Sequence, residues 1–264
     1  MKRVIVALLL VLGTPVDAAV IDQLRRGEHA VVIDVVDGDT VVLDRAIAGA
    51  RQVRLVGLQA PKLPLGRKGF KMWPLAPTSK TALEALTLGK PVTLAYGGNA
   101  MDRHGRLLAH LFLDDGRWVQ GEMLQSGMAR VYTFSDNRAV IAEMYAYEDK
   151  ARNAKRGIWA HPFYAVRPAT PDALKYLIGT FQVIEGKVIN AARVKSRVYL
   201  NFGQNWRHDV TATLDKKARR LFKKSGIAPL TYNGKTVRIR GWLKKYNGPA
   251  IDITHPEQIE LLAE

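Results

Sequence analysis

Alternating apolar and polar residues mark several β-strands in the first half of this chain. Residues 29–44, HAVVIDVVDGDTVVLD, alternate and are rich in valine, which predicts two strands joined by a turn around Asp37–Asp39. RQVRLVGL (51–58), PVTLAY (91–96) and RLLAHLFL (106–113) predict further strands. Asp115-Gly116 is typical of a turn, here leading into RWVQ. We therefore expect a sheet that occupies most of this half.

Helical periodicity appears in three places between and after these strands. Thr78 or Ser79 is expected to cap a helix that stops near Gly89. GEMLQSG, residues 121–127, predicts a short helix. The longest helix is expected to begin at Ser135 or Asp136 and to stop at Gly157. Its predicted inward residues are Val140, Met144, Tyr147 and Ala151.

A second β-rich region follows a proline-rich segment. Residues 161–174 carry Pro162, Pro168 and Pro171 and are interpreted as a linker. Five short strands are then predicted within residues 175–264, with the basic helix DKKARRLFKKSG between the third and the fourth. That order is expected of an OB barrel. Tyr199, Phe202 and Trp206 lie in or just after its second strand, and either base stacking or a place in the core would suit them.

The N-terminus has the pattern of an export signal. Lys2 and Arg3 precede an apolar run from Val4 to Leu12, and small residues lead up to Ala18. We predict a signal peptide over residues 1–18 and a periplasmic or extracellular protein. An uncleaved anchor is the alternative, but the run is shorter than the roughly 20 residues of a membrane span. No transmembrane segment is predicted in the mature chain.

Charge and cysteine content narrow the classes of partner and cofactor. Lys and Arg number 40 against 24 Asp and Glu, which gives a net charge of +16 and a pI near 10.1. This excess favours a polyanion such as nucleic acid, anionic polymer or an anionic membrane surface. The absence of cysteine excludes disulfides and thiolate metal sites. The six histidines are scattered, and we predict neither zinc nor haem.

Several motifs, in order and spacing, resemble the staphylococcal nuclease (thermonuclease) family. They are DGDT (37–40), the pair Arg54-Leu55, DRHGR (102–106), SGMARVY (126–132) and RGIW (156–159). The resemblance covers the predicted domain at residues 29–160. It implies an OB barrel with helices packed on it and calcium-dependent hydrolysis of DNA and RNA. With the C-terminal OB-like barrel, the expected fold is mainly β with helices, in two barrels.

The resemblance assigns catalytic roles to three residues. Arg54 and Arg106 match the family's two phosphate-binding arginines, whose planar guanidinium groups can pair two oxygens at once. Asp39 matches the first calcium ligand, a carboxylate of the kind that a hard cation requires. Asp37 is the best candidate for a second metal ligand. Asp102 shares a turn with Arg106 and is expected to be its partner.

The same register reveals departures from the family pattern. Gln59 stands where the family has a second aspartate ligand, Ala60 replaces a threonine, and Lys62 replaces the general-base glutamate. Calcium affinity is therefore expected to be weakened or changed. Lys62 is interpreted as a third cationic phosphate ligand, with a neutral base or a solvated surface lysine as alternatives.

Two further features could contact nucleic acid. His104 takes the place of a phosphate-facing tyrosine and could donate a proton to phosphate or to a leaving oxygen, although a plain turn residue would suit the position equally. The loop at residues 62–75 interleaves Arg67, Lys68 and Lys71 with Phe70 and Trp73. Backbone contact with base stacking on a single strand, or aromatic residues packed on the barrel, would each explain this loop.

Three functions remain open from the sequence. The first is an exported, metal-dependent nuclease with an altered active site, acting on DNA or RNA. The second is a non-catalytic protein that binds single-stranded nucleic acid in the same cationic site. The third is an envelope protein that binds anionic polymer. Asp39 beside two arginines favours the first, and the replaced base and ligands favour the second.

Overall fold

The structure, a computed structural model, describes residues 16–262. The predicted signal peptide, residues 1–18, lies outside the described residues except for its last three positions, which begin helix α1 (Val16–Ile21). Within the described part of the chain, no helix has the length and apolar character needed to cross a membrane.

A closed barrel of five strands forms the first unit. Its strands are β1 (Arg25–Asp37), β2 (Thr40–Ile47), β3 (Ala50–Leu55), β5 (Pro91–Tyr96) and β6 (Leu107–Leu113), and a separate pair joins β4 (Leu58–Gln59) to β7 (Arg130–Val131). The barrel order is β1-β2-β3-β6-β5, with β3 and β6 parallel. Alternate residues such as Val41, Leu43 and Val53 point inward and form the core.

The barrel is covered by helices α2 (Ala76–Thr87), α3 (Val119–Gln125) and α4 (Ile141–Asn153), and Val20 of α1 is buried in the same core. Two predicted starts were wrong. Helix α2 begins at Ala76, before Thr78 and Ser79. Helix α4 begins at Ile141, because Phe134 and Asn137 form β-bridges and Val140 has a left-handed backbone (φ 52°). Gly157 opens a separate 3₁₀ turn, Gly157–Ala160.

The second unit is a curled sheet. Its strands are β8 (Arg167–Pro168), β9 (Phe181–Lys187), β10 (Asn190–Val194), β11 (Arg197–Asn201), β12 (Thr211–Leu214), β13 (Thr236–Tyr246), β14 (Gly248–Ile253) and β15 (Ile259–Leu261). Helices α5 (Pro171–Leu174) and α6 (Lys216–Lys224) and 3₁₀ turns Pro162–Tyr164, Pro229–Tyr232 and Pro256–Gln258 complete it.

This sheet has the strand order of an OB fold. The order is β10-β11-β12-β14-β13-β9-β8, with β15 on β13, and β12 pairs with β14 in parallel. Strands β9 and β10 are consecutive in sequence, so one bent strand supplies both sides of the half-barrel. Helix α6 lies between β12 and β13, as predicted. The predicted fold class, mainly β with helices and with a second OB-like unit, is confirmed, although this second sheet curls into a half-barrel.

The segment interpreted as a linker, residues 161–174, is structured. Strand β8 pairs with β9, and Leu174 of α5 is fully buried in the second core. The two units also share buried contacts. Arg240 of β13 forms ion pairs with Glu148 of α4 (3.0 Å) and Glu260 of β15 (2.5 Å).

Candidate active site

Asp37 and Asp39 lie buried at the turn between β1 and β2. The backbone N–H of Asp39 donates to Asp37 Oδ1 (3.1 Å), and the N–H of Ala60 donates to Asp39 Oδ2 (2.8 Å). A Cβ on Gly38 would lie 2.0 Å from Ser79 Oγ of helix α2. Glycine therefore lets α2 close over the turn and bury both carboxylates.

Arg54, near the end of β3, holds this turn in place. Its Nη2 lies 3.2 Å from Asp39 Oδ2 and donates to Leu58 O (2.7 Å). Its Nη1 donates to Leu55 O (2.7 Å) and Asp39 O (3.3 Å). The terminal N–H groups of Arg54 are thus engaged by the protein. We therefore interpret Arg54 as a residue that fixes the positions of Asp39 and of the neighbouring backbone.

Lys62 forms an ion pair with the carboxylates. Its Nζ lies 2.5 Å from Asp39 Oδ2 and 3.5 Å from Asp37 Oδ2. The structure does not leave Lys62 as a solvated surface lysine. Asp37, Asp39, Arg54 and Lys62, named here the carboxylate cluster, hold two negative and two positive charges.

The cluster shifts the titration of both acids. Burial would raise the pKa of Asp39, but the charges of Arg54 and Lys62 outweigh it and hold that pKa well below the usual range. Burial and then the Asp39 carboxylate raise the pKa of Asp37. Asp39 is therefore the stronger acid of the two, and its carboxylate makes the shorter contacts with the two cations.

Gln59, at the position of the family's second ligand, faces the protein interior. Its Oε1 accepts from Nη2 (2.8 Å) and Nε (3.1 Å) of Arg130. Arg130 is buried, which lowers its pKa to about 10, and it also donates to Phe181 O (3.3 Å) of the second unit. The Gln59 carbonyl oxygen is consequently engaged by Arg130.

These residues do not fit the calcium ion that the resemblance implies. A calcium site needs several oxygen ligands, carboxylates among them. Asp37 and Asp39 already bind the Lys62 ammonium, and Gln59 binds Arg130. Within residues 16–262 no group of three or more His, Cys, Asp or Glu is arranged for a metal. Lys62 supplies positive charge beside the carboxylates that resemble the family's metal ligands.

Arg54 and Arg106 line one cleft of about 660 Å³. Arg106 donates from Nε to Asp102 Oδ2 (2.7 Å), and its Nη2 lies 2.6 Å from the same atom. Three N–H groups thereby hold the turn: those of Arg106 Nε, the Arg106 backbone and the His104 backbone, all donating to Asp102. His104 lies exposed on the cleft wall, beside Arg103.

Sequence reasoning missed part of the cleft wall. The residues not singled out as site residues are Asn99, Met101, Arg103, Leu108, Tyr132, Phe134 and Asp136. Asp136 is exposed and accepts from Asn99 Nδ2 (2.8 Å). Tyr132 closes the motif SGMARVY and Arg103 lies in DRHGR, so the sequence offered a signal for both. Phe134 and Asp136 lie beside the β-bridges that precede α4.

In the loop at residues 62–75 the cations are exposed, and the two aromatic rings differ in their surroundings. Arg67, Lys68 and Lys71 are exposed, and the Arg67 guanidinium lies 3.7 Å from the centre of the Phe70 ring. Trp73 instead packs on the protein, with its ring 5.6 Å from that of Phe163. The loop thus presents positive charge at the surface while Trp73 contributes to a small core.

Comparison with known proteins matches the first half of the chain. The family model described as "Staphylococcal nuclease homologue" matches residues 52–161. An "Uncharacterized endonuclease" of Escherichia coli O157:H7 is 32% identical over 133 residues, covering 50% of this chain and 77% of the relative. "Thermonuclease" of Staphylococcus intermedius is 25% identical over 134 residues, 51% of this chain and 77% of the relative. "Endonuclease YhcR" of Bacillus subtilis is 29% identical over 150 residues, 51% and 12% respectively.

The closed barrel, the arginine-lined cleft and these matches define a nuclease-type OB domain. The chain belongs to the staphylococcal nuclease family, as its motifs indicated. At the family level, the names of these relatives indicate nuclease activity with nucleic acid as substrate. The matched segments cover about half of this chain.

Proposed function

We propose that this chain is a thermonuclease-like nuclease that cleaves nucleic-acid phosphodiesters in the cleft between Arg54 and Arg106, with an altered site that does not use calcium at Asp37 and Asp39. The observation that carries the proposal is the shared cleft, where Arg106 presents a part-exposed guanidinium group and Arg54 lies in the same wall. Guanidinium groups held in place stabilise the negative charge that develops on phosphate oxygens.

The two arginines would have different roles. Arg106 is part-exposed on the cleft wall and oriented by Asp102, so it would bind phosphate directly. Arg54 would mainly fix the carboxylate cluster, because its terminal N–H groups already have acceptors. Lys62 would supply the cation that neutralises Asp39.

Proton transfer requires groups other than Lys62. A water that attacks phosphorus must lose a proton, and the leaving oxygen must gain one. Asp136 carries a carboxylate on the cleft wall without a short contact to a cation among the described ion pairs, and we propose it as the acceptor. His104 would donate to the leaving oxygen.

The test combines chain length and retention on single-stranded DNA and RNA. Purified protein is incubated with Ca²⁺, Mg²⁺, Mn²⁺ or EDTA, and fragments are resolved on a gel. We expect cleavage that persists in EDTA and falls at least about 100-fold in Arg106→Ala, the scale of one lost transition-state contact. Arg117→Ala is the matched control, because Arg117 Nε donates to Asp115 Oδ2 (2.8 Å) in a similar turn outside the cleft. Cleavage equal in both variants would refute the assignment of the cleft.

The second candidate is a nucleic-acid-binding protein without catalysis. It is favoured by the carboxylate cluster, whose acids are bound to Arg54 and Lys62 and so offer neither a metal site nor a free base. Retention of intact strands, weakening steeply with salt, would support this candidate. No affinity for nucleic acid, with affinity for another anionic polymer, would support the envelope protein.

We also propose export through residues 1–18. The support is the sequence pattern of two cations, an apolar run and small residues before Ala18. Cell fractionation of the full chain and of a chain lacking residues 2–18, with N-terminal sequencing of the mature protein, tests this. A cytoplasmic product that retains Met1 would contradict it.

A further inference from the structure

A pocket of about 370 Å³ opens on the outer face of the second sheet. Six of its lining residues combine aromatic rings with amides: Tyr199, Trp206, Tyr246, Asn190, Asn201 and Asn247. Trp206 is 56% exposed and Tyr246 is 42% exposed. Rings of this size left open beside hydrogen-bonding amides suit a flat, polar ligand such as a nucleobase.

Strand pairing extends this surface toward the cleft of the first unit. Tyr199 pairs with Thr213, and Thr213 pairs with Asp252, so the three side chains share one face. Lys244 of β13 binds Asp252 (2.5 Å), which places Lys244 on that face together with Trp242 and Tyr246, two positions away on either side.

Trp242 joins this face to the cleft. Its Nε1 donates to the hydroxyl of Tyr132 (3.0 Å), and Tyr132 lines the cleft with Arg54 and Arg106. We call Tyr132, Trp242, Tyr246, Tyr199 and Trp206 the aromatic row. Trp242 is itself exposed, so the row is accessible beyond the cleft.

Positive charge lies on the opposite side of the β10–β11 hairpin. A cavity of about 410 Å³, named here the basic cavity, is lined by seven residues, of which only Ser196 is uncharged. The cations are Arg193, Lys195, Lys216, Arg219, Arg220 and Lys223. Arg193 alternates along β10 with Ala192 and Val194 of the pocket, so one hairpin presents rings on one face and charge on the other.

We propose that the aromatic row and the basic cavity form a second binding site, which takes single-stranded nucleic acid. Bases would stack on the row, and phosphates would bind in the basic cavity as the strand passes over the hairpin tip. Stacking with backbone neutralisation is the usual means of binding single strands, and OB folds use this face for it. An uncharged sugar chain fits less well, because it has no anionic group for the six cations of the basic cavity to bind.

Charge complementarity supports this occupant. From residue 168 onward the sequence has 17 Lys and Arg against 8 Asp and Glu. One acid, Asp252, lies on the face, and Lys244 neutralises it. The inference shares its partner class with the proposed function but does not depend on cleavage.

The experiment measures binding of a fluorescent 30-nucleotide oligo-dT by the full chain, with a gel afterwards to check that the strand is intact. We expect Trp206→Ala with Tyr246→Ala to weaken binding at least about tenfold. Tyr176→Ala is the matched control, because Tyr176 is 86% exposed and does not line the pocket. Arg219→Gln with Lys223→Gln should reduce the salt dependence by about one to two released counterions, against Arg26→Gln as control.

Two other outcomes would overturn the site. The first is an unchanged affinity in the double aromatic variant. The second is an equal loss for oligo-dT and for sulfated dextran, which has charge but no bases and would indicate a polysaccharide surface. Failure of the proposed cleavage is distinguishable, because cleavage would then be absent, or equal in Arg106→Ala and Arg117→Ala, while the double aromatic variant still loses affinity for oligo-dT. Both aromatic positions are exposed, so unfolding is not expected, and thermal unfolding of each variant checks this.

Discussion

The two sheets share one strand order and use buried charge differently. In each, the third and fifth OB strands pair in parallel, as β3 with β6 and β12 with β14. The first barrel balances its buried acids internally, with Arg54 and Lys62 on Asp39. In the second sheet, the buried Arg240 instead forms an ion pair with Glu148 of the first unit. The same topology therefore builds an enclosed polar site in one place and an attachment to a neighbour in the other.

The difference shows where function arises in this fold. The carboxylate cluster lies at strand ends, where a turn and helix α2 enclose it beside an open cleft. Arg240, with its partners Glu148 and Glu260, lies in the middle of β13 and is buried. The two units share a strand order but not a function. Charged residues at strand ends form the candidate active site, whereas a charged residue in the middle of a strand joins the two units.

The largest expected effect comes from breaking the attachment between the units. Glu148→Ala takes one of two carboxylate partners from the Arg240 guanidinium, which keeps Glu260 and the carbonyl oxygen of Val131, and removes the acceptor of the Val131 N–H (2.5 Å). We expect a loss of about 3–5 kcal/mol in the free energy of unfolding, measured with denaturant, because a buried charge loses its partner.

The control for this change is an exposed pair. Asp115→Ala removes the partner of Arg117 at the surface and should cost less than about 1 kcal/mol. Comparable losses in the two variants would mean that the contact between the units contributes little.

Low pH should weaken the same contact between the two units. Burial lowers the pKa of His255 to about 4, and its Nε2 lies 2.7 Å from Thr133 Oγ1 of the first unit. Below its unfolded pKa of about 6.5 the unfolded chain binds a proton that the folded chain rejects, so stability falls as the pH drops from about 6.5 to about 4. The loss should approach about 3 kcal/mol.

His255→Gln isolates this contribution in denaturation curves recorded from pH 7 to pH 4. Burial also lowers the pKa of His110, to about 3, inside the first barrel, so a loss should persist in the variant with a smaller slope. The ionised Asp39, whose pKa is lowered, contributes only below about pH 4. An unchanged slope above pH 4 would count against the His255 assignment.

Replacing the internal cation should create a calcium response in the first barrel. Lys62→Glu adds a carboxylate beside Asp37 and Asp39 and removes the ammonium that binds them. We expect Ca²⁺ at about 100 times its dissociation constant to stabilise this variant by about 2.7 kcal/mol, seen as a higher Tm than in EDTA. The natural chain should show no such shift.

Two variants complete that comparison. Lys68→Glu changes the same charge on the exposed loop and should not respond to calcium. Adding Gln59→Asp to Lys62→Glu should raise calcium-dependent cleavage as well, although the new carboxylate must share its position with Arg130. A higher Tm in Ca²⁺ than in EDTA for the natural chain would refute the interpretation that the Lys62 ammonium takes the place of the calcium ion.

The smallest effect concerns the edge of the cleft. Trp242→Phe keeps a ring on the aromatic row and removes the N–H that donates to Tyr132 (3.0 Å). The expected cost is about 1 kcal/mol in the free energy of unfolding. If binding of oligo-dT falls as far as it does in the double aromatic variant, then this hydrogen bond, and not the ring, carries the contribution of Trp242.

The sequence predicted the frame well because motifs and alternation report on local structure. The valine-rich alternation predicted the first two strands of the barrel and the turn between them, and the position of helix α6 indicated the OB order of the second sheet. The approach of Arg54 and Arg106 to one cleft followed from their register in the family. Asp102 was expected beside Arg106, which lies within one turn.

The remaining features depend on contacts across long sequence separations. Lys62 was expected to face phosphate, and its contact with the carboxylates was not predicted. The residue type alone does not reveal where a flexible four-carbon side chain places its ammonium group. Its contact with Asp39 spans 23 positions, and the contact of Arg130 with Gln59 spans 71. Asp136 was interpreted as the start of a helix, since its β-bridging neighbours leave no local pattern.

Arg130 limits how this protein can be divided. It belongs to the half that matches the nuclease family, yet it donates to Phe181 O, and the Phe181 ring lies 4.6 Å from its guanidinium. A fragment truncated after residue 161 would hydrate that guanidinium and, with it, Gln59 at the edge of the candidate active site. Recombinant work that aims for a minimal nuclease should therefore keep the C-terminal unit.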